Sequence, residues 1–231
     1  MSTSITALLP IREKFDFYAP DRNFRVFDGR PIYQVMIDKL MAVSQIDRIV
    51  INTDAQEVKD FCSSNSRITI IDRPEELRGD DVPSDKITAY DLEKVSGEHF
   101  IEVQSFNPLL TKYSIEAVIH QYFQFIIDVN AEESYFDSIF SMQRHEMRSY
   151  DLDKRELMDE YPFVIFENRI LHVFNRKNFL SQGNHKVGKM AMMFEVKEVE
   201  NTLVDSDTNY ELVKLVHANQ DKFPGIFHSG I

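Results

Sequence analysis

The stretch ITALLPIREKFDFYAPDRNFRVFDGRPIY, residues 5–33, decides the fold that the sequence predicts. It opens with an apolar run at residues 5–9, and the loop after that run carries Arg12, Lys14 and Arg22. A buried strand that leads into a cationic loop and then a helix is a common way to hold phosphates in an α/β protein. The loop offers backbone N–H groups and cations beside the carboxyl edge of a parallel sheet. The stretch therefore predicts a first strand, a phosphate-binding loop and a first helix.

Short apolar runs alternate with helical patterns from this stretch to residue 141. We interpret Pro31 as the first residue of its helix, and Asp54 with Glu57 as an N-cap and its supporting acid. The alternation indicates an α/β, Rossmann-like three-layer fold with a mostly parallel sheet. The predicted strands are residues 5–9, 48–52, 68–71, 99–103 and 138–141, and the predicted helices are residues 31–43, 54–61, 84–95 and 113–127.

The pattern changes after residue 142. Residues 144–161 are polar and predict an irregular excursion. We expect residues 1–231 to form a single domain from which residues 142–174 protrude. The other elements predicted in this part are a hairpin of residues 163–166 and 170–174 that turns at Glu167-Asn168, strands at residues 189–194 and 199–204, and a helix over residues 207–218.

Composition limits the classes of protein that fit. Hydrophobic residues make up 43% of the 231 residues and charged residues 28%, as in a soluble globular protein. The net charge of -12 argues against a nucleic-acid partner, because that binding neutralises phosphates with Lys and Arg. A single cysteine, Cys62, suits a reducing compartment. Without a signal-peptide pattern or an apolar run near the roughly 20 residues that span a bilayer, we expect a cytoplasmic protein with no membrane partner.

Polar motifs follow three of the predicted strands. They are NTDA at residues 52–55, RPEEL at residues 73–77 and QSFNPL at residues 104–109, and Ser84 starts the helix after the second of them. The carboxyl ends of parallel strands meet at one edge of a sheet, so these residues should lie near the N-terminal loop. Each motif alone also has an ordinary explanation, such as a helix cap or a surface ion pair of little worth.

The motif DSDT at residues 205–208 is the sharpest local signal outside the N-terminal stretch. Asp205 and Asp207 are spaced i, i+2, so at a strand end they project to one side. Two such carboxylates can share a hard cation that keeps several waters and binds phosphate oxygens. Thr208 with Glu211 also fits a capping box, and acids are favoured before a helix N-terminus. Both interpretations can hold together, with Thr208 as the cap and the two aspartates as metal ligands.

The ordered series of motifs resembles the cytidylyltransferases that activate sialic acids and related acidic sugars. Pro10-Ile11-Arg12, Arg22-Asn23 and Gly29-Arg30-Pro31-Ile32 stand where that family has Pro-Ala-Arg-Gly-Gly-Ser-Lys, a Lys-Asn pair and Gly-Lys-Pro-Leu-Ile. The later motifs resemble the family's Ser-Thr-Asp-Ser, Arg-Pro-x-x-Leu, Leu-Gln-Pro-Thr-Ser-Pro-Leu-Arg and Asp-Ile-Asp-Thr. Glu13-Lys14 replaces the family's Gly-Gly, and Leu110 replaces its arginine.

The resemblance implies a fold of the nucleotide-diphospho-sugar transferase type and a reaction. CTP and an acidic nonulosonic, sialic-acid-like sugar would give the CMP-sugar and pyrophosphate, with Mg²⁺ as the cofactor and a homodimer formed through the excursion. For Arg144 and His145, contact with a sugar carboxylate and a solvated charge cluster remain alternatives. The implied site is Arg12, Lys14 and Asp207 for catalysis, Arg12, Arg22, Asn23, Arg73 and Ser84 for nucleotide, Gln104, Arg144 and His145 for sugar, and Asp205 and Asp207 for metal.

Two other functions stay open at this point. The segment Asp205-Ser206-Asp207 is also an Asp-x-Asp motif, which is typical of metal-dependent glycosyltransferases, although its place near the C-terminus counts against that class. A catalytically degenerate relative that binds nucleotide or sugar is favoured by the lost Gly-Gly and the lost arginine. Covalent catalysis is not indicated, since Cys62 lies in a predicted helix without a histidine close to it in the sequence.

Overall fold

A seven-stranded sheet lies at the centre of the protein in the computed structural model, which describes residues 4–16, 19–128, 135–145, 153–155 and 164–222. A separate pair of two-residue strands precedes the first helix. Along the chain the strands are β1 (Ile5–Leu8), β2 (Val26–Phe27), β3 (Arg30–Pro31), β4 (Ile46–Thr53), β5 (Ile68–Asp72), β6 (His99–Val103), β7 (Ser138–His145), β8 (Val164–Asn175) and β9 (Ala191–Glu195). The helices are α1 (Ile32–Ala42), α2 (Gln56–Cys62), α3 (Ser84–Lys94), α4 (Lys112–Tyr122), α5 (Arg176–Ser181) and α6 (Asp207–Ala218).

The main sheet has the strand order β5-β4-β1-β6-β8-β7-β9. Its neighbours pair in parallel except for β8, which is antiparallel to both β6 and β7. Strand β1 is buried on both faces, and such strands appear in a sequence as continuous apolar runs. The mostly parallel α/β fold is therefore confirmed. Within the described residues, the structure has no helix long and apolar enough to cross a membrane.

The side chains of each strand alternate between two apolar layers. Ala7 and Ile49 belong to the layer that packs on α1, α2 and α4, whereas Leu8 and Val50 belong to the layer beneath α3 and α5. The sheet is thus covered by helices on both faces, as expected for a doubly wound fold. This arrangement leaves the carboxyl ends of β1, β4 and β6 together at one edge of the sheet.

Helix starts differ from the sequence interpretation in two places. Pro31 is the N-cap residue of α1 and not its first helical residue. The prediction that Asp54 caps α2 is wrong, because Ala55 occupies the N-cap position without a side-chain hydrogen bond. The carboxylate of Asp54 instead accepts a hydrogen bond of 2.9 Å from the backbone N–H of Glu13. A polar residue at the end of β4 is therefore used to fasten the N-terminal loop.

The predicted hairpin at residues 163–174 is wrong, since residues 164–174 belong to the single strand β8. Arg169 has a φ of 57°, and the register of β7 against β8 shifts at this point. The hydroxyl of Ser141 accepts hydrogen bonds from the N–H groups of Ile170 and Leu171, at 3.1 and 3.0 Å. The polar residues that predicted a reversal of the chain instead form a bulge.

The C-terminal elements are partly as predicted. Strand β9 and helix α6 confirm two predictions, but residues 199–204 form no strand and overlap the 3-10 turn Glu198–Asn201. The prediction that Thr208 caps the last helix is wrong. Ser206 is the N-cap residue, and its hydroxyl accepts a hydrogen bond of 3.1 Å from the N–H of Asn209.

The predicted excursion is only partly described. Arg144 and His145 are the last residues of β7, so the strand continues further than residue 141. Residues 146–152 and 156–163 lie outside the described residues. The protrusion of residues 142–174 stays a prediction, although both ends of that segment belong to the sheet.

Candidate functional site

A cavity of about 610 Å³ opens at the carboxyl edge of the sheet. Its walls come from the loop after β1, the end of β6, the start of α3 and the turn before α6. Three arginines line it, namely Arg12, Arg22 and Arg73. The volume falls within the roughly 300–1,000 Å³ of typical ligand sites.

Arg12 is a buried cation of this cavity, with 5% of its surface exposed. Its guanidinium forms an ion pair with Asp80 and donates a hydrogen bond to the backbone carbonyl of Arg78. Burial lowers the pKa of Arg12 from its usual value, which the nearby carboxylates of Asp16 and Asp54 partly offset. The Nε atom of Arg12 is buried and has no hydrogen-bond partner among the described residues.

Arg22 lies between two aromatic rings on the same side of the cavity. Its Cζ atom is 3.4 Å from the centroid of the Phe15 ring and 4.7 Å from that of Phe106, which are cation–π distances. Burial, and then the positive charge of Arg12, lower the pKa of Arg22 to about 10. In the part of the chain that the structure covers, its buried Nε also lacks a hydrogen-bond acceptor. Two adjacent guanidinium groups with unmet donors are a setting that favours a bound anion.

Asn23 fixes the loop that carries these arginines. Its side-chain amide donates a 2.9 Å hydrogen bond to the backbone carbonyl of Arg12, and its oxygen accepts one of 2.8 Å from the hydroxyl of Ser105. Asn23 is 1% exposed and does not line the cavity. Its two hydrogen bonds tie the loop after β1 to the loop after β6.

Arg73 is held by a chain of buried polar groups. Its Nε donates a 2.6 Å hydrogen bond to the side-chain oxygen of Asn52, whose amide donates in turn to the carboxyl group of Asp91. Burial lowers the pKa of Arg73 to about 10 and raises the pKa of Asp91 to about 7. Arg73 therefore reaches the cavity on a rigid support from β4 and α3.

A buried ion pair that the sequence interpretation missed borders the same cavity. Lys186, from the loop between α5 and β9, donates to Oε1 of Glu102 at 2.6 Å and to the hydroxyl of Ser84 at 3.0 Å. Thr88 donates its hydroxyl to the other oxygen of Glu102. Both charged residues are 3% exposed, and Glu102 and Ser84 line the cavity. A glutamate within the otherwise apolar end of a central strand was the signal that could have identified this pair.

The two aspartates of the DSDT motif point to different places. Asp205 lines the cavity and accepts a 2.8 Å hydrogen bond from the side-chain amide of Asn209. The side chain of Asp207 is 89% exposed and forms a 2.7 Å ion pair with Arg25 in a neighbouring groove. Among the described residues, no three His, Cys, Asp or Glu side chains are grouped so that they could hold a metal ion.

The predicted sugar residues also separate. Gln104 lines the cavity, and its backbone N–H donates a 3.0 Å hydrogen bond to the carbonyl of Ile170. Arg144 forms a 3.1 Å ion pair with Glu195, and His145 packs edge-on against Phe166 with ring centroids 5.5 Å apart. The cavity brings together Arg12, Arg22, Arg73, Ser84, Gln104 and Asp205, whereas Lys14, Asn23, Arg144, His145 and Asp207 do not line it.

The family model described as "Cytidylyltransferase" matches residues 19–220. Among curated proteins, none matches the chain at a significant level.

Two solved structures share the fold. A structure of CMP:2-keto-3-deoxy-manno-octonic acid synthetase complexed with CTP is similar with a TM-score of 0.65 and 12% identity, covering 94% of this chain and 99% of that one. The 4-diphosphocytidyl-2C-methyl-D-erythritol synthase from Anaerococcus prevotii DSM 20548 gives a TM-score of 0.62 and 11% identity, with coverages of 94% and 97%. At these identities the likeness establishes the architecture.

Proposed function

This chain belongs to the cytidylyltransferase family, and on that premise we propose that it transfers CMP from CTP to an acidic nonulosonic sugar and releases pyrophosphate. The observation that carries the proposal is the pair Arg12 and Arg22, whose buried Nε groups lack acceptors among the described residues. Phosphate oxygens would supply those acceptors and offset the positive charge that burial makes costly.

The chemistry needs no covalent enzyme intermediate. The anomeric hydroxyl of the sugar attacks the α-phosphorus of CTP, the bond from that phosphorus to the bridging oxygen breaks, and pyrophosphate leaves with the electron pair. The hydroxyl proton passes to solvent water in the same process. Arg12 and Arg22 neutralise charge on the departing pyrophosphate, and Lys14 is the exposed third cation of their loop. Catalysis of this kind comes mostly from positioning and charge stabilisation.

We propose Asp205 as the main protein ligand of Mg²⁺. Mg²⁺ is usually held by one or two carboxylates, several waters and substrate phosphates. Asp205 fits that donor set because its carboxylate lines the cavity that holds the arginines. Asp207 fits only if it leaves its ion pair with Arg25. When bound, Mg²⁺ would stabilise negative charge on the phosphate oxygens.

Asp205→Asn should remove most of the gain in CTP affinity that Mg²⁺ provides. A lost ligand charge facing the triphosphate should cost more than about 1.4 kcal/mol, which is tenfold in affinity. The measurement is calorimetric titration of CTP with Mg²⁺ and with chelator, on wild type, Asp205→Asn and Asp207→Asn. If Mg²⁺ strengthens CTP binding equally in wild type and Asp205→Asn, this metal assignment is wrong. The Asp207→Asn variant tests whether that residue joins the metal site.

For the sugar, we propose that Gln104 bonds hydroxyl groups at the cavity wall and that Arg144 or His145 meets the carboxylate. Arg144 can present two parallel N–H groups to a carboxylate once it is released from Glu195. Both residues lie at the end of β7 and outside the cavity lining. The sugar would therefore have to extend from the cavity to Arg144 or His145, or a second copy of the chain would have to bring these residues to it.

A homodimer is proposed at the same end of the sheet. Ile165 and Phe166 at the start of β8 are each 46% exposed, beside the end of β7. Covering such side chains is favourable by roughly 25 cal/mol per Å² of apolar surface. Light scattering at micromolar concentration should give twice the chain mass of 27.1 kDa. A monomeric mass would contradict this.

Pyrophosphate release tests the whole function. The assay combines CTP with a panel of acidic nonulosonic sugars and, separately, with neutral sugars as controls. Release that depends on an acidic sugar supports the proposal. Tight CTP binding without turnover would instead support a degenerate relative, which the Glu13-Lys14 replacement favours. Cleavage of a nucleotide-sugar donor, with CTP left intact, would support the glycosyltransferase.

A further inference from the structure

We propose that Glu102 recognises cytosine by accepting a hydrogen bond from its 4-amino group, with Lys186 as the positioning residue for the carboxylate. The inference rests on the proposed use of CTP and adds the residue that sets the choice of base. It comes from the buried ion pair between Lys186 and Glu102, which borders the cavity.

Glu102 is placed where a ligand can reach it only through the cavity. It is the penultimate residue of β6 and pairs in register with Leu8 of β1 on one side and His172 of β8 on the other. Thr88, on α3, donates to its carboxylate, so the side chain lies on the α3 face of the sheet. Glu102 is only 3% exposed, yet it lines the cavity. The carboxylate of Glu102 therefore forms part of the cavity floor beside the start of α3.

The carboxylate retains room for another donor. Lys186 donates to Oε1 and Thr88 donates to Oε2. An ionised carboxylate has two acceptor positions on each oxygen and donates nothing. One further N–H can therefore bond to it without displacing either partner. Lys186 also bonds to Ser84, so the ammonium group fixes Glu102 relative to the first turn of α3.

Charge determines which part of CTP can bind beside Glu102. A triphosphate belongs with Arg12 and Arg22, and an acidic sugar would likewise be repelled by Glu102. The base and the ribose of CTP are the neutral parts that remain. Val82 and Ile87 provide apolar wall on the same α3 side, which suits the faces of a flat ring.

The acceptor-only character of Glu102 then distinguishes the two pyrimidines. Cytosine presents an amino donor at position 4, which pairs with a glutamate, whereas uracil presents a carbonyl oxygen there. Placing that oxygen against a buried carboxylate leaves two acceptors facing each other. Stability alone is a weak explanation for the ion pair, because a buried pair is often no more stabilising than apolar residues of the same volume.

The test measures the ratio of CTP to UTP affinity in wild type, Glu102→Gln and the double variant Glu102→Gln/Lys186→Gln. Wild type should prefer CTP at least tenfold. In each variant the ratio of CTP to UTP affinity should fall at least tenfold, because the glutamine amide can donate a hydrogen bond to uracil. The double variant removes both charges together, so it avoids an unpaired buried lysine if the single variant fails to fold. Glu93→Gln, an exposed glutamate on α3, is the matched control and should leave the ratio unchanged.

Four outcomes would overturn the inference. Unchanged affinities for both CTP and UTP in the folded variants mean that Glu102 does not contact the nucleotide. Equal weakening of CTP and UTP leaves the ratio unchanged and places the contact on the ribose, which both nucleotides share. A wild type that binds CTP and UTP equally overturns base recognition by Glu102 but leaves nucleotide binding standing. A wild type that binds neither nucleotide overturns the proposed function itself.

Discussion

Arg22→Met should weaken CTP binding by about 10- to 100-fold while the protein remains folded. Charge-assisted hydrogen bonds contribute roughly 1.5–3 kcal/mol each, which gives this range when one is lost. Methionine retains an unbranched apolar side chain between Phe15 and Phe106, which are the groups that Arg22 contacts. Arg12 is a less clean target, because its removal would also leave Asp80 without its ion-pair partner.

Calorimetric titration of CTP into wild type and Arg22→Met gives the change in affinity. The matched control is Arg30→Met, which removes an arginine that is paired with Asp38 at the surface and is absent from the cavity lining. The control should bind CTP as wild type does. Equal affinity in wild type and Arg22→Met would show that the cation between the two rings does not contact the nucleotide.

Glu200→Ala should lower the free energy of unfolding by about 3–5 kcal/mol, since several buried donors lose their acceptor at once. Glu200 is 0% exposed. Its carboxylate accepts from the N–H of Thr111 at 2.8 Å, from the hydroxyl of Ser114 at 2.7 and 2.8 Å, and from the N–H of Lys197 at 3.3 Å. These bonds join the turn before Asp205 to the start of α4.

Urea unfolding measures this loss. Glu198→Ala is the control, because Glu198 belongs to the same turn and is exposed, so its change should stay within about 0.5 kcal/mol. The turn that Glu200 holds leads into Val204, whose N–H bonds to the carbonyl of Phe106 just before Asp205. Because loss of Glu200 loosens that turn, the CTP affinity of the folded Glu200→Ala protein should also fall. Equal stability of the two variants would contradict the structural role of Glu200.

Elements that are set by local periodicity could be predicted from the sequence. The five strands and four helices of the first part appear close to their predicted places, because buried parallel strands read as apolar runs. The bulge in β8 could not be told from a hairpin. A polar interruption such as Glu167-Asn168 has the same local pattern in a bulge and in a hairpin turn. The bulge depends on the hydroxyl of Ser141, which lies on the neighbouring strand and accepts hydrogen bonds from β8.

The site was predictable where it depends on strand ends. Arg73 and Gln104 reach the cavity because the strands before them end at the same edge of the sheet. Lys186 could not be found in this way, since it is 84 residues from Glu102 in the chain and meets it only through the tertiary fold. The nucleotide contact of Asn23 stays a prediction, and in this structure its side-chain amide is bonded within the protein.

The most direct measurement of the central claim is calorimetric titration of the wild-type protein with CTP, UTP, ATP and GTP in the presence of Mg²⁺. If the cavity with its three arginines is a CTP site, CTP should bind at least tenfold more tightly than each of the other three nucleotides. Equal affinity for all four, or binding of none, would contradict the assignment of this cavity to CTP.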